Sequence, residues 1–377
     1  MKIKISFLLL FLYISPVNSN EKFSNFKNYS KTNIKIQLIK VVDGLNYPWG
    51  MTFIDKHNLI ISQKNGKLVR VNIKNHEIFD VKHQIQDIYY NENFFGQGGL
   101  LDVLFHDGKI YFSYSQKGRN NNGFSTAIAR GKLIKDKIID HEILFVAKPK
   151  LKTDKHWGSR MVIKGNHLYA SIGERDFGMI AQNPKKHPGS IIRINIDGTI
   201  PNDNPGFVDK HNWLPEIYLI GVRNPQGMTI SPYDDSIFFS QHGPRGGDNL
   251  GKVSYAGNFG WKDIAWGGTE YYGAKIGTVP FKEKYNKPIL TWVPSIGVGQ
   301  INFYNGKTFH EWNGDLIVSA TKTGLLFRLG FDGKKIKKKK IIIQKKIGRI
   351  RDFEIDSKGD IYIIIDDENS SLWKLSR

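Results

Sequence analysis

Six times along this chain a turn residue is followed by Leu or Ile and then by further strand-forming residues. The copies are Asn58-Leu59-Ile60-Ile61, Lys109-Ile110-Tyr111-Phe112, His167-Leu168-Tyr169-Ala170, Ser236-Ile237-Phe238-Phe239, Asp315-Leu316-Ile317-Val318 and Asp360-Ile361-Tyr362-Ile363. Several are followed by a second strand-like run: Lys67-Leu68-Val69-Arg70, Ile191-Ile192-Arg193-Ile194, Leu325-Leu326-Phe327-Arg328 and Leu372-Trp373-Lys374-Leu375. Sustained helical periodicity is scarce. A strand pair recurring at intervals of about 45 to 80 residues is too long for a solenoid coil and suits blades of sheet around an axis. Six copies predict an all-β fold, a six-bladed β-propeller of four-stranded antiparallel blades. A pair of β-sandwiches is equally strand-rich but gives no reason for the same unit to return six times. The uneven spacing leaves long insertions between strands, where function concentrates.

The first segment, MKIKISFLLLFLYISPVNSN, reads as an export leader. Lys2 and Lys4 form a basic start, Ile5 to Ile14 an apolar run too short to span a bilayer comfortably, and Val17-Asn18-Ser19 a small-residue cleavage site. Residues 1–19 are therefore expected to be a signal peptide. Residues 20–377 then form a periplasmic propeller with no stable membrane insertion. The chain has no Cys, which excludes disulfides, thiolate metal sites, iron–sulfur clusters and cysteine nucleophiles. Lys and Arg number 55 against 35 Asp and Glu, a net charge of +20. Such a charge suits nucleic acid, anionic membrane, an acidic partner or an anionic ligand, or else reflects a Lys-, Ile- and Asn-rich composition unrelated to function. Export disfavours nucleic acid, and the excess is mostly Lys rather than the Arg preferred for planar anions. The most basic run, residues 334–346, reads as a solvated hairpin between strands of neighbouring blades, with docking of an acidic electron acceptor as the other reading.

Polar clusters fall next to the recurring strands. In Gly96-Gln97-Gly98-Gly99 the glycines turn tightly and hold an amide towards the axis, unless this is simply a turn. His156, in Lys155-His156-Trp157-Gly158-Ser159-Arg160, stands at a strand mouth where it can act as a general base or as a structural histidine. Gly221 to Gly227 and Gln241 to Asp248 are dense in Gly and Pro, and their carbonyls can ligate a hard cation such as Ca2+ or merely shape a loop. Lys322 follows another recurring strand. In Arg349-Ile350-Arg351 both guanidinia share one face, a fork suited to carboxylates or a quinone oxygen, or else a surface charge pair. No HExxH, GxSxG, GxGxxG or Walker pattern accompanies them.

Taken in order, these segments resemble the soluble PQQ-dependent sugar dehydrogenases of the glucose/sorbosone dehydrogenase family, nearest its bacterial aldose sugar dehydrogenase branch. The resemblance begins at Gly44-Leu45-Asn46-Tyr47-Pro48-Trp49-Gly50 and runs through GQGGLLDVLFH, HWGSRMV, Ala181-Gln182-Asn183-Pro184 to Asp203-Asn204-Pro205, GVRNPQG, QHGPRGGD, Asn258-Phe259-Gly260-Trp261 and RIRDFEIDSKGDIYIIID. It implies a six-bladed propeller that binds pyrroloquinoline quinone (PQQ) with Ca2+ at its mouth and oxidises aldose sugars at the anomeric carbon, passing electrons to an unidentified periplasmic acceptor. It implies His156 as the base and Gln97, Arg223, Asn224, Tyr271, Lys322, Arg349 and Arg351 as cofactor-binding residues. It further implies the carbonyls of Gly243 and Pro244 as Ca2+ ligands.

Two departures accompany the resemblance. Lys155 stands before the base where glucose-specific relatives carry an acidic residue, which leaves the base without an evident orienting group. Asn249 and Phe259 stand where the aldose branch has an acidic residue and a Tyr linked to a second Ca2+, so that second site is expected to be weak or lost. Two other functions are open to a propeller: a lactonase-like hydrolase, which needs inward-facing carboxylates around an axial metal, and a non-catalytic binding propeller. No such carboxylate set is evident in the sequence, and the retained His, Gln, Arg and Lys positions speak against loss of the cofactor.

Overall fold

The recurring unit is the second strand of each of six blades, and most of its residues are buried because each blade is covered on both faces by its neighbours. The computed structural model describes residues 23–377 except Phe94 and Phe95, so the leader expected over residues 1–19 lies outside the described residues. Blade 1 comprises Pro48–Phe53, Asn58–Gln63, Leu68–Asn72 and Glu77–Val81; blade 2 comprises Leu100–His106, Lys109–Lys117, Phe124–Ile134 and Lys137–Val146. Blade 3 is Gly158–Lys164, His167–Ile172, Ser190–Asn195 and Ile217–Ile220, joined on its outer edge by the short parallel strand Gly257–Asn258. Blade 4 is Pro225–Ile230, Ile237–Gln241, Asp248–Lys252 and Leu290–Trp292. Blade 5 is Val298–Phe303, Leu316–Ala320, Leu325–Phe331 and Ile336–Gln344, with Ser30–Lys31 added in parallel. In blade 6, Ile350–Ile355, Ile361–Ile365 and Ser370–Ser376 are completed by Gln37–Leu45 from the other end of the chain, with Leu38 opposite Leu375 and Val42 opposite Leu372. The ring therefore closes by antiparallel pairing of the two ends of the described chain.

Five of the six second strands carry a buried Ser immediately after the apolar run: Ser62, Ser113, Ser171, Ser240 and Ser319. Each serves the innermost strands. The Ser113 hydroxyl donates to the Ser159 carbonyl (2.7 Å) and accepts from the Asp102 amide (3.0 Å), while Ser240 donates to the Gly299 carbonyl (2.6 Å). The innermost strands are rich in Gly and polar residues because they crowd one another at the axis. A Cβ on Gly227 would lie 2.6 Å from the Gly299 carbonyl of the next blade.

At that axis one side chain ties five blades together. Arg160, on the first strand of blade 3, donates from NH1 to Asp102 of blade 2 (2.8 Å) and Asp352 of blade 6 (3.2 Å), and from Nε to the Gln226 carbonyl of blade 4 (3.0 Å). Its guanidinium also faces the Trp49 ring of blade 1 at 4.6 Å. Burial pushes the Asp102 carboxyl up to about 7 against the pull of Arg160. Inward-facing carboxylates are thus present, but they are neutralised by an arginine.

The Lys-rich run differs from its expected form. Ile336–Gln344 is the fourth strand of blade 5, not a solvated hairpin. Its Ile341, Ile342 and Ile343 are buried, while the Lys339 ammonium reaches the Ser24 hydroxyl at 2.9 Å and lies over the Tyr29 ring. Long Lys stems cover apolar surface with their charged ends in water, so an outer strand tolerates them. Among the described residues no helix is long and apolar enough to cross a membrane.

Replacing Arg160 by Met leaves Asp102 and Asp352 without their cation. Breaking such a buried pair is expected to cost about 3–5 kcal/mol. The loss should be larger at pH 8 than at pH 5, where the protonated Asp102 carboxyl no longer needs the charge. Urea unfolding at the two pH values measures both, and a loss under about 1 kcal/mol at pH 8 would remove Arg160 from this role.

Candidate active site

In a blade, the connections into the first strand and those between the second and third strands emerge at the same end. His156, Gln97, Arg223, Asn224, Gly243, Pro244, Lys322, Arg349 and Arg351 all lie in such connections or in the first residues of the strands they feed, so the fold gathers them on one rim. Tyr271 belongs to the long segment between Gly257–Asn258 and Leu290–Trp292, which reaches the same rim where the Arg245 amide donates to the Thr269 carbonyl (3.1 Å).

His156 sits on a tightly wound approach to blade 3. Its own φ is +51°, and Gly158 and Ser159 follow at +66° and +82°. The left-handed region is costly for a residue with a Cβ, so this backbone is held by its surroundings. Gly173 makes room for it, since a Cβ there would overlap the His156 carbonyl. The Gln97 side-chain oxygen accepts from the His156 amide (2.9 Å), and Asn224 Oδ1 accepts from the Gly158 amide (3.0 Å).

The group that orients the base is Glu174. Its Oε1 lies 2.6 Å from His156 Nδ1 and its Oε2 accepts from the Gly178 amide (2.6 Å), while its own amide donates to the Arg223 carbonyl (2.8 Å). An ionised carboxylate only accepts, so Nδ1 carries the hydrogen and Nε2 keeps its lone pair for a substrate proton. Burial, and then the nearby Arg223 charge, hold the imidazole below its ordinary pKa, with Glu174 and Asp176 pulling the other way. Lys155 is paired with Asp176 at 2.9 Å, and Asp176 Oδ1 lies 3.9 Å from His156 Nδ1. Sequence reasoning missed Glu174. The signal was the charged triplet Glu174-Arg175-Asp176, just past the recurring strand His167–Ile172.

The cations form a connected wall. Arg351 donates to Gln226 Oε1 (3.0 Å), and the Gln226 amide donates to Asn224 Oδ1 (3.1 Å). Both Arg349 and Arg351 reach Asp366 Oδ2, at 3.1 and 2.6 Å. Burial opposes the charge of Asp366, but Arg351, Lys64 and Arg349 outweigh it and hold the carboxyl well below the usual range. Lys64 is a further cation missed from the sequence; its ammonium donates to the Gly96 carbonyl (3.1 Å) beside Gln97. Lys322 is exposed in its turn and Tyr271 is 68 % exposed. Among the described residues no hydrogen bond or ion pair joins either of them to the others.

The loop Gly243 to Asp248 is braced from beneath by Asp248, which accepts from the amides of Gly243 (2.7 Å), Ile296 (3.0 Å), Gly297 (2.6 Å) and Val298 (3.0 Å). The Gly243 carbonyl accepts from Arg223 NH1 at 3.2 Å. His242, also missed, stands between these groups. Burial, followed by Arg223, Arg351 and His156, pushes its pKa down to about 3, so it is neutral. Its Nε2 is buried without a protein partner, as are Arg223 Nε and Arg351 Nε. Asp366 Oδ1 and Trp261 Nε1, beside the same two arginines, are also unpaired. Unpaired buried polar atoms of this kind are uncommon, and the two guanidinium nitrogens among them suit a flat ligand that carries carboxylates.

At the position of the expected second cation, Asn249 donates from Nδ2 to the Gly247 carbonyl (2.9 Å) and accepts at Oδ1 from Gln241 (3.1 Å). Phe259 packs edge-on against Phe239 at 4.8 Å. The Asn249 amide oxygen is thus engaged by Gln241, and Phe259 brings a phenyl ring where the aldose branch has a hydroxyl. Because Glu174 raises the pKa of His156, Glu174→Gln should lower it further. NMR titration of the His156 ring in the apoprotein reads this directly, and an unchanged or higher value would end the assignment of Glu174 as its partner.

The glucose/sorbosone dehydrogenase family profile matches residues 45–374. The aldose sugar dehydrogenase YliI of Escherichia coli is 31 % identical over 345 residues, 89 % of this chain and 91 % of that one. Quinoprotein glucose dehydrogenase B of Acinetobacter calcoaceticus is 24 % identical over 373 residues, with 78 % and 77 % covered. The crystal structure of the soluble E. coli aldose sugar dehydrogenase in its apo form superposes with a TM-score of 0.83 at 29 % identity, covering 91 % of this chain and 99 % of that one. With a family match over most of its length and the expected six-bladed fold, this chain belongs to the glucose/sorbosone dehydrogenase family.

Proposed function

We propose that this chain is a quinoprotein sugar dehydrogenase that oxidises an aldose at the anomeric carbon to the lactone, with PQQ as cofactor. The observation that carries the reading is a buried base, His156, oriented by Glu174 and opening onto a wall of cations in which Arg223 Nε and Arg351 Nε are buried without a protein partner. The names of the Escherichia coli and Acinetobacter relatives, an aldose sugar dehydrogenase and a quinoprotein glucose dehydrogenase, agree with it.

In this reading Arg223, Asn224, Lys322, Arg349 and Arg351, with Gln97, hold the carboxylates and quinone oxygens of the cofactor by charge-assisted hydrogen bonds. Tyr271 packs beside it. The carbonyls of Gly243 and Pro244 would hold Ca2+ beside the cofactor, the Gly243 carbonyl being one that also accepts from Arg223. PQQ, when bound, supplies the ortho-quinone that takes up the hydride leaving the anomeric carbon. His156 Nε2 accepts the proton of the anomeric hydroxyl as that hydride leaves, and the negative Glu174 steadies the resulting imidazolium. In this reading residues 1–19 are an export leader and the enzyme works in the periplasm, where an unidentified acceptor removes the electrons. A lactonase-type site would need free axial carboxylates, and here Asp102 and Asp352 are spent on Arg160.

Apoprotein reconstituted with PQQ and Ca2+ should show a shifted quinone absorbance and reduce a dye with aldoses. His156→Gln should keep cofactor binding while turnover falls about 10²–10⁴-fold. Because the base works as the neutral imidazole and its pKa is lowered, the acid limb of kcat/KM should have its midpoint below 6.5. Absence of cofactor binding, or full turnover in His156→Gln, would overturn the proposal.

A further inference from the structure

Glu174 is followed by a residue whose side-chain hydrogen bonds go to the loop that carries the base. Arg175 is 1 % exposed. Its Nε donates to the Lys155 carbonyl (3.0 Å), its NH2 donates to the Thr153 carbonyl, and its Cζ lies 3.2 Å from the centre of the Trp157 ring. One guanidinium therefore bonds the backbone on both sides of Asp154 and stacks on the side chain that follows His156. Asp154 in turn ties this loop to the Gln97 loop by accepting from the Gly98 amide (2.8 Å) and from the Trp157 indole (3.2 Å).

The local backbone is shaped for this reach. Arg175 and Asp176 are successive non-glycine residues in the left-handed region, at φ +61° and +63°. Holding two such residues is costly and needs compensating contacts. The turn sends the three side chains of Glu174, Arg175 and Asp176 to the imidazole, the backbone and the Lys155 ammonium of the same loop. Burial brings the Arg175 guanidinium down to about 9 against the pull of Asp154 and Glu174, so it is still a cation at neutral pH. Its NH1 is buried without a protein partner. Simple space-filling would be served by an apolar side chain without that cost, whereas two directed N–H bonds to separate carbonyls require the planar fork of an arginine.

We propose that Arg175 is a positioning residue for the base: it holds the Thr153–Trp157 backbone at the height where Glu174 can grip His156 Nδ1 and Nε2 faces the substrate. The inference rests on the reading of His156 as the base. Arg175 touches neither cofactor nor substrate in this scheme and acts only through the loop.

Two variants test it. Arg175→Lys keeps the charge but is a point donor that cannot bridge both carbonyls, and Arg175→Met removes the charge at similar volume. In the apoprotein, the low-field proton resonance of the His156 Nδ1–H···Glu174 bond should weaken or shift in both. In the PQQ-loaded protein, the PQQ Kd from absorbance titration and the sugar KM should stay within about threefold of the parent. The kcat per bound cofactor should fall about 10²-fold, the scale of loss from a misplaced reacting group. The isotope effect from deuterium at the anomeric carbon should rise, because hydride removal becomes rate-limiting.

A merely structural role would lower the fraction of competent protein and leave both the isotope effect and the kcat per bound cofactor unchanged. That outcome in Arg175→Lys overturns the proposal, as does an unchanged resonance. Should Arg175→Met fail to fold, Arg175→Lys decides alone. If the parent protein neither binds PQQ nor turns over, the enzymatic reading fails, and the apoprotein resonance still reports whether Arg175 holds the His156 loop.

Discussion

A single guanidinium at the centre of the ring sets the conditions for everything above it. A propeller closes only if six inner strands meet around an axis too narrow for bulky side chains. The chain answers with glycines, serines and one buried arginine. Arg160 is held by Asp102, Asp352 and the Gln226 carbonyl, and it stacks on Trp49. The same Trp49 ring faces Arg351 on its way to the mouth, at 5.9 Å. The floor of the site is therefore continuous with the axial ion cluster, and the cationic wall stands on a network that links blades 1, 2, 3, 4 and 6.

Above that floor, the site depends on pairs of loops that come from different blades. His156 belongs to the entry of blade 3, yet its amide is held by Gln97 from the entry of blade 2, and Glu174 hangs from the Arg223 carbonyl at the entry of blade 4. Fixed donors and acceptors in a buried mouth need no rearrangement when charge develops, which is why such sites favour polar chemistry. The surrounding cations act on both His242 and Asp366: they add to burial in keeping the imidazole neutral, and they outweigh burial in keeping the carboxylate ionised.

The fold was legible because its repeating element is the most buried strand of each blade. A strand covered on both faces must be a short apolar run, and six such runs stand out from one sequence. The innermost strands did not stand out, since axial crowding fills them with Gly, Ser and Gln. The Lys-rich run reads as a hairpin in the sequence because an outer strand has to bury only part of its length, and the buried Ile341 to Ile343 follow the lysines. In the site, residues embedded in ordered motifs, such as His156, Arg223 and Arg351, could be picked out. Glu174, His242, Lys64 and Asp366 could not, because each gains its meaning from a partner more than 15 residues away.

The sequence by itself determined the architecture class, the number of blades and which loops carry unusual polar density, because burial periodicity and turn residues are local properties of the chain. Tertiary structure alone decided which polar groups work together. Lys155 directly precedes the base and pairs instead with Asp176, while the carboxylate that orients His156 arrives from the far side of a strand pair. Asp102 and Asp352 converge at the axis and are neutralised there by Arg160. Electrostatic roles of this kind depend on distance and burial, and both are set only when the ring closes.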